Sequence, residues 1–239
     1  MELAFRAADH VGGKLILDAR CVRKLTRLEP AAISITRRFE NERSEVERLI
    51  EEIYWREYGS AIAHHYPSIM SVHDVSGKAL CAVGFRCAAE EPLFLEQYLG
   101  SPVEDVLAEE LGAGIPRSNI VEIGNLASCA RGASVFLFIA LAAYLRERHY
   151  THAVVTATDA LRRTFDLFGF RPNELGAAKA QALIDGGASW GSYYSRNPKV
   201  LASAVSPCFR ALERFLPSTR NSDLGRLFAK IHHSGSVMS

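Results

Sequence analysis

Apolar positions along the chain recur with two periods, and the switches between them divide it into elements. Val46, Leu49, Ile50, Ile53 and Tyr54 repeat at helical spacing after the capping-box pattern Ser44-Glu45-Val46-Glu47, which predicts an amphipathic helix to about residue 61 with a Glu-rich outer face. Apolar runs at 69–72 and 79–85 flank Asp74-Val75-Ser76-Gly77-Lys78 and predict a β-hairpin. A second helical pattern begins near Pro102. Strand and helix then alternate: a strand over 119–123, a loop, a helix over 133–148, a strand over 153–158 and a helix to Phe168, followed by Gly169-Phe170. Strand, helix, strand in that order implies parallel pairing through a right-handed crossover. The last block runs from Trp190-Gly191-Ser192-Tyr193-Tyr194 through a strand-like 200–205 to a short helix over 207–216. On a strand, Tyr193 and Tyr194 would face opposite ways.

The two ends read differently. Leu15-Ile16-Leu17 and Ile33-Ser34-Ile35 look like short strands on either side of a basic stretch from Arg20 to Arg27, and residues 1–32 are expected to form an N-terminal extension. Beyond Pro217, Ser, Asn and Gly surround Arg220, Arg226 and Lys230, so residues 217–239 are expected to form a mobile basic tail. Residues 33–216 between them form the expected domain. Its class is α/β with a mixed sheet, antiparallel early and parallel late.

Composition then narrows the chemistry. Among 239 residues, 28 Lys+Arg balance 27 Asp+Glu to a net charge of +1, which gives no overall pull towards nucleic acid or an anionic membrane. The longest uncharged, mostly apolar run, 132–145 between Arg131 and Arg146, is shorter than the about 20 residues of a membrane span. It reads as a buried helix. Five scattered cysteines without a Cys-x-x-Cys pair support neither a zinc site nor a disulfide framework. The opening residues lack the basic-then-apolar order of a signal peptide, and a reducing cytoplasmic setting is the expectation. The adjacent His64 and His65 have no carboxylate at metal spacing, so no metal is expected.

Ser128-Cys129-Ala130-Arg131-Gly132-Ala133-Ser134 leaves a strand and opens a helix, placing backbone N–H groups and Arg131 where phosphate oxygens are stabilised. The same small residues also suit a plain tight turn. The run Glu122-Ile123-Gly124-Asn125-Leu126-Ala127-Ser128, this loop, the long helix, the next strand and Leu167-Phe168-Gly169-Phe170 resemble the core of GNAT N-acyltransferases. With Pro67-Ser68-Ile69-Met70, Gly84-Phe85-Arg86, Leu93-Phe94-Leu95-Glu96-Gln97-Tyr98-Leu99, Pro102-Val103-Glu104, Thr156-Ala157-Thr158 and the Trp190–Tyr194 block, the chain over 33–205 resembles the thermostable hemolysin family. That family's arrangement is similar to GNAT enzymes and, more distantly, to acyl-homoserine-lactone synthases.

The resemblance implies a largely antiparallel central sheet with a splayed parallel strand pair and flanking helices. It implies an acyl-CoA or acyl carrier protein thioester as donor, held along Leu126, Ala127, Ser128, Arg131, Gly132, Ala133 and Ser134, and the amine of an amino acid or small metabolite as acceptor. Two positions depart from the pattern. The GNAT phosphate loop Q/R-x-x-G-x-G/A puts Cys129 at Q/R and Ser134 at its last position, and the Tyr that often protonates the leaving thiolate corresponds to Phe165.

An amine attacking a thioester must shed a proton, and Glu122 is the expected base, or else a hydrogen-bond partner of Arg86 or of the Glu96 segment. Glu96, a charge among large apolar residues, is expected in a lined pocket, where it binds the acceptor amine, or facing solvent. Asn125 donates to the developing oxyanion or caps the loop. Tyr193 is the expected proton donor. Arg86 holds an acceptor carboxylate or pairs with a glutamate, and Phe94, Tyr98 and Trp190 line the cleft. Arg146, Arg148, Arg162, Arg163 and Arg171 make a solvated surface or a dock for an acidic carrier protein. Two alternatives stand beside the enzyme: a membrane-active lysin that inserts the apolar helix, and a GNAT-fold binder that holds an acyl ligand without turnover.

Overall fold

A computed structural model describes residues 1–7 and 10–217. The expected tail after Pro217 lies outside the described residues. In chain order the strands are β1 (Glu2–Ala7), β2 (His10–Ile16), β3 (Ala32–Arg37), β4 (Ser68–His73), β5 (Ala79–Cys87), β6 (Ile120–Ser128), β7 (His152–Ala157), β8 (Asn173–Ala177) and β9 (Lys199–Ala204). The helices are α1 (Ala19–Val22), α2 (Arg43–Tyr58), α3 (Glu96–Leu99), α4 (Val103–Leu111), α5 (Ala133–Glu147), α6 (Asp159–Phe168) and α7 (Val205–Leu212). One nine-stranded sheet takes the order β2-β1-β3-β4-β5-β6-β7-β9-β8. Only β1–β3 and β6–β7 pair in parallel; the other neighbours are antiparallel. This is the mixed, largely antiparallel sheet the sequence predicts.

Alternation along β5 decides which helix covers which face. Cys81, Val83 and Phe85 join the main core with α5, whereas Ala79 and Ala82 join a second cluster with Val46, Ile50, Ile53 and Tyr54 of α2. Helix α5 is buried at every position from Ala133 to Leu145 except Ser134, as a helix apolar on every side must be. The apolar run is therefore the central core helix, and no helix among the described residues is long and apolar enough to cross a membrane. Helix α2 stops at Gly59, whose φ of 67° lets its N–H turn back to Trp55 O.

Four local readings differ from the sequence expectation. Residues 1–32, expected as an extension, supply β1, β2 and α1; Leu3, Phe5, Leu15, Leu17 and Val22 sit in the main core. The capping box is not used: α2 starts two residues earlier, with Glu42 at its N-cap, and Glu47 instead pairs with Arg43 (2.6 Å), which also donates to the carbonyls of Pro67 and Tyr66. The Trp190–Tyr194 block forms 3-10 turns over Ala188–Trp190 and Tyr193–Arg196, so Tyr193 and Tyr194 do not alternate across a strand. Strand β8 lies in a stretch where no strand was expected.

The parallel pair does not stay together. Its register runs from Ile120↔His152 to Ile123↔Val155 and ends there. Strand β7 continues along β9 while β6 continues along β5, so the two diverge and leave a gap between them. At the point of divergence the β5–β6 register jumps from Gly84↔Gly124 to Ala82↔Ala127. Val83 thus faces both Asn125 and Leu126, a bulge with Asn125 at φ 50°. Asn tolerates this left-handed backbone better than most residues.

Candidate active site

The site is built outward from one tyrosine. Tyr66 is buried, and its ring lies across the paired glycines of β5 and β6: a Cβ at Gly84 would come within 2.7 Å of it and one at Gly124 within 2.3 Å. The glycines make room for a ring, and that need explains why both stand in the motifs. Arg86 stacks on the ring, 4.4 Å from its centroid, and its Nε lies 2.8 Å from Glu122 Oε2.

Glu122 is 1% exposed and fully engaged. Its oxygens accept the N–H groups of Phe94 (3.0 Å) and Leu95 (2.9 Å) as well as facing Arg86. Burial pushes its pKa up, against the Arg86 charge and the donated hydrogen bonds. It lines neither of the cavities described next. The residue expected as base is placed as the anchor that ties the 93–95 segment to β6. Glu96 is likewise committed: it accepts from the N–H groups of Leu93 and Val103 and pairs with Arg117 at 2.6 Å. Burial works against its charge, but Arg117 and the two N–H groups win and hold its pKa below the usual carboxylate range. It also reaches neither cavity, a correction to its expected place in a lined pocket.

Two cavities flank this anchor. The first, about 330 Å³, occupies the gap between β6 and β7 and runs along α5 past Phe138, Leu141, Ala142 and Leu145 towards Val205 and Cys208. Its lining is mostly apolar, as a site for an acyl chain requires. Ser128 and Ser134, beside the N-terminus of α5, line it as well. The second, a cleft of about 1350 Å³, is lined by Arg38, Arg43, Glu47, His64, His65 and Arg86. Tyr66, Phe94, Asn125 and Trp190 line both. An apolar compartment and a charged one therefore share a wall at the β6 bulge.

The other expected residues distribute around that wall. Asn125 donates to His64 O at 3.4 Å. The register gives Asn125 and Leu126 no pairing partner in β5 or β7, which fits the bulge amides to bond a ligand carbonyl. Tyr193 lines the apolar cavity with its hydroxyl 3.5 Å from Thr156 O, and burial drives its pKa up. Phe165, at the position of the usual proton donor, lines the same cavity and packs on Phe138 and Phe170. Tyr98 lines the cavity near Phe94, with its hydroxyl 2.6 Å from that of Tyr194.

From the end of β6 to the start of α5, Leu126, Ser128 and Ser134 reach the cavity, whereas Ala127 and Ala133 are buried outside it and Arg131, in the loop between, is exposed. Gly132 is needed for packing, because a Cβ there would meet Thr26 at 2.6 Å. Of the arginines considered for carrier-protein docking, Arg162 and Arg171 pair with Asp159 and Asp166, and Arg146 stacks on Phe209. Tyr66 escaped sequence reasoning; the pairing of two motif glycines across one strand pair was the signal that pointed to it.

A mixed sheet with a splayed parallel pair, a bulge at the point of divergence and a cavity in the gap define a GNAT-like fold. The chain belongs to the thermostable hemolysin family, whose sequence profile matches residues 36–209. No curated protein matches it. Among solved structures it is similar to FeeM, an N-acyl amino acid synthase from uncultured soil microbes, with 16% identity and a TM-score of 0.52 over 74% of this chain and 98% of that one. The AHL synthase LasI gives 15% identity and a TM-score of 0.52 over 79% of this chain and 98% of that one. BjaI, a CoA-dependent acyl-homoserine lactone synthase solved with SAM and isopentyl-CoA, gives 12% and 0.54 over 76% and 87%. At these identities the likeness establishes the fold.

Proposed function

We propose that this protein is an N-acyltransferase that moves an acyl group from a CoA or acyl carrier protein thioester to the amine of an amino acid or similar small metabolite. The observation that carries the reading is the shared wall: an apolar cavity and a charged cleft meet at Tyr66, Phe94, Asn125 and Trp190. Structures with this fold are named for N-acyl amino acid and acyl-homoserine lactone synthesis. The transferase chemistry belongs to residues 33–216 and operates in the cytoplasm, where such thioesters are made.

The acyl chain lies in the gap beside α5 and the pantetheine passes Leu126 and Ser128, with its phosphates towards Ser134 and Arg131 at the helix N-terminus. The thioester carbonyl sits at the bulge. Amides of Asn125 and Leu126, with the Asn125 side chain, stabilise the oxyanion as the amine attacks from the cleft. Arg86 turns the part of its guanidinium not used by Glu122 towards an acceptor carboxylate. The Tyr193 phenol, kept protonated by burial, protonates the departing thiolate in place of the missing tyrosine at Phe165.

Mass spectrometry of lipid extracts from cells expressing the wild type or Asn125→Ala tests this. A new acyl amide with the wild type that is lost with folded Asn125→Ala is expected, and its mass names donor chain and acceptor together. Soluble, folded wild type that yields no new amide but retains a bound acyl ligand would support the non-catalytic binder instead.

A further inference from the structure

Tyr66 points across the sheet towards the gap. Its Cβ, Cγ and Cδ2 lie closest to Gly84 on β5, whereas its Cε2, Cζ and hydroxyl oxygen lie closest to Gly124 on β6. The ring axis therefore runs from β5 over β6 in the direction of β7, and the hydroxyl ends at the last pair before the bulge, Gly84↔Gly124. A Cβ on Gly124 would come within 2.3 Å of that oxygen, so it lies directly over the backbone that leads into Asn125. Tyr66 lines the apolar cavity in the gap as well as the charged cleft. We infer that the Tyr66 hydroxyl is a catalytic hydrogen-bond donor, aimed at the oxygen of the thioester carbonyl as that oxygen becomes an oxyanion; the inference rests on the transferase reading above.

An oxyanion donor has to be held in place before the charge develops. The chain on both sides of Tyr66 is pinned: the carbonyl of His64 accepts from Asn125 Nδ2, and the buried Arg43 donates to the carbonyls of Tyr66 and Pro67. The ring itself is bounded by the two glycines and the Arg86 guanidinium. Such a donor must also keep its proton. Burial, followed by the Glu122 charge, pushes the phenol pKa well above its usual value against the pull of Arg86, so Tyr66 stays a donor through the neutral range. Glu122, which alternation along β6 puts on the same face as Gly124, already receives the N–H groups of Phe94 and Leu95 and faces Arg86. Its charge is met without the phenol, which leaves the hydroxyl hydrogen for a carbonyl in the gap. Across that gap the Tyr193 hydroxyl is 3.5 Å from Thr156 O on β7. The two phenols divide the work, Tyr193 serving the sulfur and Tyr66 the oxygen.

In the reaction the acceptor amine, as the free base, gives its lone pair to the carbonyl carbon. A C–N bond forms, the C=O π pair moves to oxygen, and Tyr66 donates to that oxygen beside the Asn125 and Leu126 amides. When the pair returns, the C–S bond breaks and the sulfur leaves with the bonding electrons and the Tyr193 proton. Nitrogen gives up one proton to solvent as the amide forms, and Tyr193 regains one from solvent. Tyr66 holds its proton throughout, and nothing is oxidised or reduced.

The test compares the full chain with Tyr66→Phe, which keeps the ring over the glycines and removes only the hydroxyl. Three probes share phosphopantetheine, the group common to both donors: the dodecanoyl thioester, its dithioester, in which sulfur replaces the carbonyl oxygen, and the dodecyl thioether, which has no carbonyl. Pooled amino acids and hydroxylamine are the acceptors, and thiol release is the readout. Tyr66→Phe should lower kcat on the thioester by about 10²-fold, because one oxyanion donor is lost. The loss on the dithioester should be far smaller, because sulfur accepts a hydrogen bond poorly. The urea midpoint and the Kd for the thioether should stay as in the wild type. Equal losses on thioester and dithioester, which share one leaving thiol, would place Tyr66 on the sulfur or in the wall and overturn the assignment, as would an unchanged kcat. A wild type that binds the thioether but releases no thiol from the thioester would sink the transferase reading itself and this inference with it.

Discussion

The apolar cavity and the charged cleft share a wall, but they are made in different ways. The cavity exists because two backbones part: β7 follows β9, β6 follows β5, and side chains of α5 fill only part of the gap. The cleft exists because charged side chains are paired off and hold loops apart, Arg43 on Glu47 and the Tyr66 carbonyl, Arg86 on Glu122, Arg38 on Glu91. A side chain that changes volume in the cavity should alter what fits there and leave the fold intact. Removing a charge from the cleft wall should unfold the wall first.

The hardest test of that contrast is Glu122→Ala. It leaves the half-buried Arg86 with only the more distant Glu91 as an ionic partner and strips the N–H groups of Phe94 and Leu95 of their acceptor, so unfolding free energy should fall by about 3–5 kcal/mol. Urea denaturation measures it. A loss under about 1 kcal/mol would mean that the wall does not depend on the pair. In the cavity, Ala142→Phe should behave in the opposite way. Its ring would occupy room for about four chain methylenes, which at ~0.8 kcal/mol each weakens binding of a long-chain thioester by ~3 kcal/mol, more than 10²-fold. Binding of acetyl-CoA and the urea midpoint should scarcely move. Equal weakening for short and long chains would place the acyl group elsewhere.

The wall itself can be probed between these extremes. Gly124→Ala forces a methyl against the Tyr66 ring and should cost about 1–3 kcal/mol, with most of that cost recovered in a Tyr66→Ala background. Additive losses would show that the ring is not what the glycine accommodates.

How much of this could be read beforehand follows from which interactions are local. The alternation from β6 through α5 to β7 was legible because helix and strand periods differ, and the run 132–145 announced a core helix by being apolar on all sides. The paired glycines were visible as motif residues, yet their purpose was not, because Tyr66 comes from a distant turn and only the β5–β6 register brings it onto them. Strands β1 and β2 were obscured because they pair with each other and with β3 at the sheet edge, through short runs broken by Gly12-Gly13. Strand β8, Asn-Glu-Leu-Gly-Ala, carries almost no strand propensity and is held by β9. Glu122 and Glu96 illustrate the limit for the site. A carboxylate in an apolar motif signals something that must be satisfied, and in both cases the satisfying groups are backbone N–H donors and an arginine, which a sequence does not distinguish from a substrate.

Glu96 gives the smallest and most specific prediction. Its folded pKa lies below the usual carboxylate value because Arg117 and the N–H groups of Leu93 and Val103 stabilise the charged form despite burial. A carboxyl whose pKa is depressed by folding contributes stability that is present above its unfolded pKa and lost as pH falls through the folded value. Part of the side chain meets solvent, so the contribution is screened and should not exceed about 1 kcal/mol. Glu96→Gln should accordingly lower the urea midpoint at pH 7 by a small amount, and the gap from wild type should narrow as pH falls below the usual carboxylate range. A gap that persists unchanged in acid would assign the loss to the shape of the 93–103 turn, because a charge that protonation removes cannot account for it.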